Sequence, residues 1–256
     1  MLSDMSTFNF KKFSVVNERS AMKVNTDGVL LGALMTIKPT DRRLLDIGTG
    51  TGTIALMAAQ REIELKTTDV AALPAEILNI DAIDIDEPSA SEAAVNFQNS
   101  PWSEHLNAYN LPLDAYADEL DEYERFDLIF SNPPYFEDSL TAPDERKSAA
   151  RHTSEGLSYR DICDFASKRL SENGRLAFVL PSDLELPLTR YARMSGLHLF
   201  RIARVRTVPR KSPTRMIAEF SRYRCENPED TTLTIQNEGT YTQEYLTLMR
   251  DFYLFA

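Results

Sequence analysis

The 256-residue chain is long enough for one large domain with or without a modest extension, and its 43% hydrophobic content supplies a proper core. A charged fraction of 26% and the lack of any apolar run near the ~20 residues of a membrane helix exclude a membrane-spanning chain. The formal net charge of −11 weighs against a nucleic-acid partner, because phosphate binding depends on Lys and Arg. The first residues lack the basic-then-apolar pattern of a signal peptide, and Cys163 and Cys225 stand far apart. The expectation is a reduced, cytoplasmic protein without a disulfide framework or a metal site.

Residues 1–39 carry Phe8, Phe10, Phe13 and Val15 around Lys11 and Lys12, a pattern that predicts a short N-terminal extension or hairpin packed on a core domain over 40–256. A strand over 44–47 runs into a glycine-rich turn, and a helix follows over 54–60. In that turn Gly48, Gly50 and Gly52 sit where backbone must bend sharply and approach a ligand closely. A dinucleotide fingerprint needs glycine at position 53, but Thr53 stands there, which disfavours a nicotinamide-dependent oxidoreductase. Asp46, at the strand end, is unfavourable beside a pyrophosphate and favourable beside a ligand carrying an ammonium and a sulfonium. S-adenosylmethionine is such a ligand.

Residues 61–79 lengthen the next connection and predict a small helical insertion. A strand over 80–85 ends near Asp84, placed to accept hydrogen bonds from ribose hydroxyls or simply to cap the helix that Pro88 opens through Asn96. After a weak strand over 106–109, Asp114 could meet an adenine amino group, although the acidic run from Asp114 to Asp127 explains an Asp there equally well. A strand over 126–130 then runs into Asn132-Pro133-Pro134-Tyr135-Phe136. Two prolines stop the strand and fix extended backbone. The Asn132 side-chain oxygen and the Pro133 carbonyl can each accept one N–H of a planar, conjugated amine, orienting its lone pair for methyl transfer. Tyr135 can stack on a flipped base and Phe136 can wall the pocket.

Helices over 160–170 and 184–194 flank a strand over 175–180, and strands over 197–208 and 215–224 are joined by the turn-forming Pro209 to Pro213. Strands alternating with helices predict an α/β fold: a doubly wound, mainly parallel seven-stranded sheet with a C-terminal antiparallel pair. That pair concentrates positive charge. Between Leu199 and Arg224 the balance is +7, leaving −18 elsewhere, so Arg204, Arg206, Arg210 and Lys211 are candidates for RNA phosphate, or residues of an exposed strand face.

With both motifs in place, the chain resembles a class I S-adenosylmethionine-dependent methyltransferase of the N-P-P-Y type and, more narrowly, the bacterial tRNA(Val) (adenine-37-N6)-methyltransferases. The likeness also runs through Phe10-Lys11-Lys12-Phe13-Ser14-Val15, through residues 22–33, through Ala150-Arg151-His152 and through residues 245–255. It implies S-adenosyl-L-methionine as cofactor, the anticodon region of a valine tRNA as partner, and a monomer. It brings Thr26 and Asp27 close to the cofactor, although the sequence alone lets them equally cap a helix, and makes Arg151 and His152 candidates for RNA contact or loop ordering, or surface residues of a loop. Asn25 stands where the family has Gly. The same motif logic also serves N5-glutamine methylation of a translation factor and guanine-N2 methylation of ribosomal RNA. A non-catalytic RNA-binding protein fits less well with intact motifs.

Overall fold

A computed structural model describes residues 6–68, 78–134 and 157–256. The chain opens with a hairpin, β1 (Thr7–Asn9) and β2 (Ser14–Val16), and a helix α1 (Thr26–Leu34) capped by the Asn25 side chain. Strand and helix then alternate through β3 (Arg43–Ile47), α2 (Thr53–Thr68), β4 (Asn79–Ile83), α3 (Glu87–Gln98), β5 (Leu106–Tyr109), α4 (Leu113–Glu119), β6 (Phe126–Ser131), α5 (Tyr159–Arg169), β7 (Leu170–Pro181) and α6 (Glu185–Met194). The chain ends with β8 (His198–Arg206), β9 (Arg215–Ser221), β10 (Glu229–Thr234), a small hairpin of β11 (Gln236–Asn237) and β12 (Thr240–Tyr241), and α7 (Gln243–Met249).

The central sheet has the order β10-β8-β9-β7-β6-β3-β4-β5, in which only β9 runs against its neighbours. Its eight strands are one more than the pattern predicts. The extra strand, β10, is an acidic, threonine-rich edge with no apolar alternation to betray it. Alternate residues along each strand feed two cores. Leu44, Ile80, Leu128 and Ala177 face α1, α2, α3 and α7, whereas Leu45, Ile83, Ile129 and Leu176 face α4, α5 and α6. Phe10, Phe13 and Val15 of the N-terminal hairpin belong to the first of these cores, and Trp102 packs edge-on against Phe13.

Two local readings change. The predicted insertion begins as a straight continuation of α2 to Thr68, its remainder lying outside the described residues. The strand expected over 175–180 is longer, β7 beginning at Leu170 and carrying Asn173-Gly174 within it, where the β6–β7 register shifts between Phe126 and Leu128.

Candidate functional site

The parallel strands all end on the same side, and there β3 and β6 lie in register with Ile47 opposite Ser131. Ser131 Oγ donates to the Ile47 carbonyl at 2.7 Å, stitching the exit of β6 to the entry of the glycine turn. This is the carboxyl edge at which open α/β sheets bind ligands.

All three turn glycines have positive φ, 73° at Gly48, 56° at Gly50 and 78° at Gly52, conformations that residues with a Cβ adopt rarely. At Gly52 a Cβ would also come within 2.5 Å of the Phe97 ring, so glycine is required twice over. The turn encloses Asp46, which is fully buried. Its Oδ2 accepts from Thr49 Oγ1 at 2.7 Å, while Oδ1 has no hydrogen-bond partner among the described residues. Burial pushes this carboxyl up to about 7, against the Thr49 hydrogen bond and with help from the charge of Asp84.

Asp84 follows β4 and holds the turn from the other side, Oδ2 accepting from Gly50 N at 2.8 Å and Oδ1 from Asp86 N at 2.9 Å. Burial raises its carboxyl too, with those two amides opposing the shift. The cap of α3 is instead Asp86, whose side chain accepts from Ser89 N. Asp114 is exposed in the first turn of α4, with Oδ1 against its neighbour's amide Ala115 N.

Asn132 leaves β6 with only 6% of its surface exposed, and its amide donates to Met22 Sδ at 3.4 Å. Pro133 is buried and Pro134 exposed. Tyr135, Phe136, Arg151 and His152 lie outside the described residues. Thr26 and Asp27 form the first turn of α1, and Asp27 accepts from Arg215 Nε at 2.8 Å. The structure thus gathers Asp46, Gly48, Gly50, Gly52, Asp84 and Asn132 at one sheet end. Asp27 is tied to the basic strand pair.

In that pair three of the arginines, Arg201, Arg204 and Arg215, are matched by carboxylates. Arg201 pairs with Glu219 and Glu229, and Arg204 lies between Glu185 and Asp230. Arg204, expected to meet phosphate, has its donors on two carboxylates, which makes it a clasp between β8, α6 and β10. Arg206 bonds Thr234 Oγ1 and the Pro209 carbonyl, so only part of its guanidinium is engaged. Arg210 and Lys211 are exposed in the β8–β9 connection, with no carboxylate at ion-pair distance among the described residues. The same connection emerges at the sheet end that holds the glycine turn.

Residues that the sequence pattern did not reveal complete the site. Met22 touches Asn132, and a Cβ built on Gly50 would lie 3.5 Å from both the Met22 carbonyl and Ser20 Oγ. Only the contiguity of residues 20–22 with the Thr26-Asp27 segment pointed there.

Residues 20–194 match the Methyltransferase small domain family. A tRNA1(Val) (adenine(37)-N6)-methyltransferase from Parabacteroides distasonis is 40% identical over 96% of this chain and 97% of its own length. A protein of the same name from Flavobacterium psychrophilum is 38% identical over 96% of this chain and 99% of its own. The chain belongs to the tRNA1(Val) (adenine(37)-N6)-methyltransferase family. A crystal structure of a predicted O-methyltransferase from Agrobacterium tumefaciens shares the fold, with a TM-score of 0.62 at 18% identity over 88% of this chain and 96% of that one.

The protein is a methyltransferase, and S-adenosyl-L-methionine is its cofactor. The donor set fits that molecule: a buried carboxylate with one unpartnered oxygen suits a cationic ligand, and a glycine turn with positive φ leaves backbone open to close approach. The methyltransferase has no group of three or more metal-binding side chains among the described residues. None of its described helices is long and apolar enough to cross a membrane.

Proposed function

We propose that the protein methylates the exocyclic N6 of an adenine in tRNA, namely adenine-37 beside the anticodon of a valine tRNA, and that it acts as a monomer. The observation that carries this reading is the juxtaposition of Asn132-Pro133 with the glycine turn across the β3–β6 pair. The names of relatives at 35–40% identity supply the substrate. Asn132 Oδ1 and the Pro133 carbonyl accept the two N–H bonds of the adenine amine and hold its lone pair toward the methyl group. S-adenosylmethionine, when bound, supplies that methyl as an activated sulfonium substituent.

Each remaining residue has a role. Asp46, Gly48, Gly50, Gly52 and Asp84, with Thr26, Asp27 and Asp114, form the cofactor side. Tyr135 and Phe136 receive the base, and Arg151 and His152 approach the RNA. Arg206, Arg210 and Lys211 stand two to three strand spacings from β6, about 10–14 Å, a span that suits phosphates flanking a base turned into the pocket. No titrating base is needed before transfer, so catalysis rests on positioning and electrostatics.

The test is to incubate the purified protein and labelled S-adenosylmethionine with bulk tRNA from a deletion strain, then map the modified nucleotide by mass spectrometry. Label at N6 of adenine-37 in valine tRNA is the expected outcome. No label in that tRNA, with label instead in a translation-factor glutamine or a ribosomal guanine when those substrates are supplied in parallel, would overturn the reading.

A further inference from the structure

Between β2 and α1 the chain crosses the site as a strap, residues 17–25, with little regular structure of its own. Its Met22 touches Asn132, and its Ser20 and Met22 border Gly50. The strap is held from below by one face of α3. Glu92, only 3% exposed, accepts the backbone amides of Glu18 and Arg19 on Oε1 at 2.7 and 2.8 Å and that of Ser20 on Oε2 at 2.9 Å. One turn earlier Ser89 Oγ meets Ser20 Oγ at 3.0 Å, and Asp86 orients it by accepting its hydroxyl. One turn later Asn96 bonds both the amide and the carbonyl of Val16, and its amide also donates to the Thr51 carbonyl of the glycine turn.

Ser89, Glu92 and Asn96 recur at helical spacing, so this is a single polar stripe on a helix face that would ordinarily be apolar. Burying a carboxylate is costly unless donors surround it, and Glu92 lies where three converge. The stripe's bonds end on the strap above and on the glycine turn beside it, which fixes the spacing between them.

We infer that Glu92 is a positioning residue for methyl transfer: its carboxylate, flanked by Ser89 and Asn96, holds residues 18–20 so that the strap roofs the cofactor cradle beside Asn132. The inference rests on the cofactor lying at the glycine turn. Glu92 therefore acts on cofactor affinity through backbone order.

The experiment compares Glu92→Ala, Glu92→Gln, Asp46→Asn and Leu188→Ala, the last a cavity in the opposite core. It reads amide hydrogen exchange at residues 18–20 and the affinity for S-adenosylhomocysteine by calorimetry. Glu92→Ala should raise exchange at those amides and weaken S-adenosylhomocysteine binding, each by about tenfold, the scale of one charge-assisted hydrogen bond. Glu92→Gln, which keeps the shape and one acceptor oxygen, should fall between it and the parent. Leu188→Ala should lower the melting temperature without moving either local readout.

Faster exchange at 18–20 with unchanged affinity in Glu92→Ala would overturn the proposal. So would wild-type values for Glu92→Gln, or equal loosening by Leu188→Ala. If Asp46→Asn leaves affinity untouched, the glycine turn is not the cofactor site and the underlying reading falls. If Asp46→Asn weakens binding and the Glu92 variants do not, only the positioning role falls.

Discussion

Asp46 at the glycine turn and Glu219 in the antiparallel edge are both fully buried carboxylates, and the fold treats them in opposite ways. Glu219 is surrounded: Thr36 donates through its amide and its hydroxyl, and Arg201 through its guanidinium. Asp46 keeps Oδ1 without a hydrogen-bond partner among the described residues and carries a carboxyl raised to about 7. One end of the sheet closes its charges on themselves, and the other leaves a polar atom open at a cost. Buried charge by itself does not mark a site; at the glycine turn, the incomplete carboxylate coincides with the ligand end of the sheet.

The sharpest way to break this contrast is Glu219→Ala. Arg201 would keep only the exposed Glu229, and the buried Arg61, whose guanidinium burial lowers to about 10, would lose its nearby anion. A loss of about 3–5 kcal/mol in urea unfolding is expected, the scale for breaking a buried pair. Unchanged stability would remove the distinction between the two ends. Asn132→Ala should do the reverse, slowing transfer by about 10²–10³-fold, as for one preorganised transition-state contact. Affinity for S-adenosylhomocysteine should stay within about threefold, under 1 kcal/mol. Equal losses in both would mean that Asn132 serves the cofactor rather than the amine.

A pH series sharpens the same point. Asp46 titrates at about 7 in the folded chain against an ordinary 3.8, so within that window the folded state keeps a proton that the unfolded chain has lost. Stability contributed by the protonated carboxyl is full below 3.8 and disappears as pH rises through about 7. Urea midpoints should fall between about pH 4 and about pH 7, and Asp46→Asn should flatten the slope. Cofactor affinity should run the other way, tightening up to neutrality because a cationic ligand selects the ionised form. The smallest effects lie in the basic edge. Arg204→Ala should cost about 1 kcal/mol, since its carboxylate partners are partly exposed, and leave the salt dependence of tRNA binding unchanged. Replacing Arg210 and Lys211 together should reduce that salt slope by about 1–2 with no change in melting temperature.

The β3, β4, β6 and β9 strands were legible because residues such as Leu44, Ile80, Leu128 and Ile217 form apolar runs that both faces of the sheet bury. The three turn glycines and Asn132 were legible for a different reason: the glycines follow an apolar strand where the backbone must turn with positive φ, and Asn132 ends another strand just before two prolines. Helix α1 was hidden because Gly28 through Ala33 are buried on every side, which erases the helical stripe. In β10 the exposed Glu229 and Asp230 resemble loop residues until Arg201 and Arg204 are seen against them. The arginines of β8 illustrate the limit most clearly. A one-dimensional count gives +7, and the opposing carboxylates come from Glu185, Glu229 and Asp230, which only folding brings alongside.

The reversal of β9 bears on how such an enzyme varies. Because β9 runs backward, the 207–214 connection is suspended at the ligand end, its ends Thr207 and Thr214 tied to Gln236, Val205 and Ser182 while Arg210 and Lys211 at its tip are exposed. Charge at that tip can change without touching the glycine turn. Reach toward a substrate and the apparatus for chemistry are thereby separable traits, inherited on different stretches of one sheet.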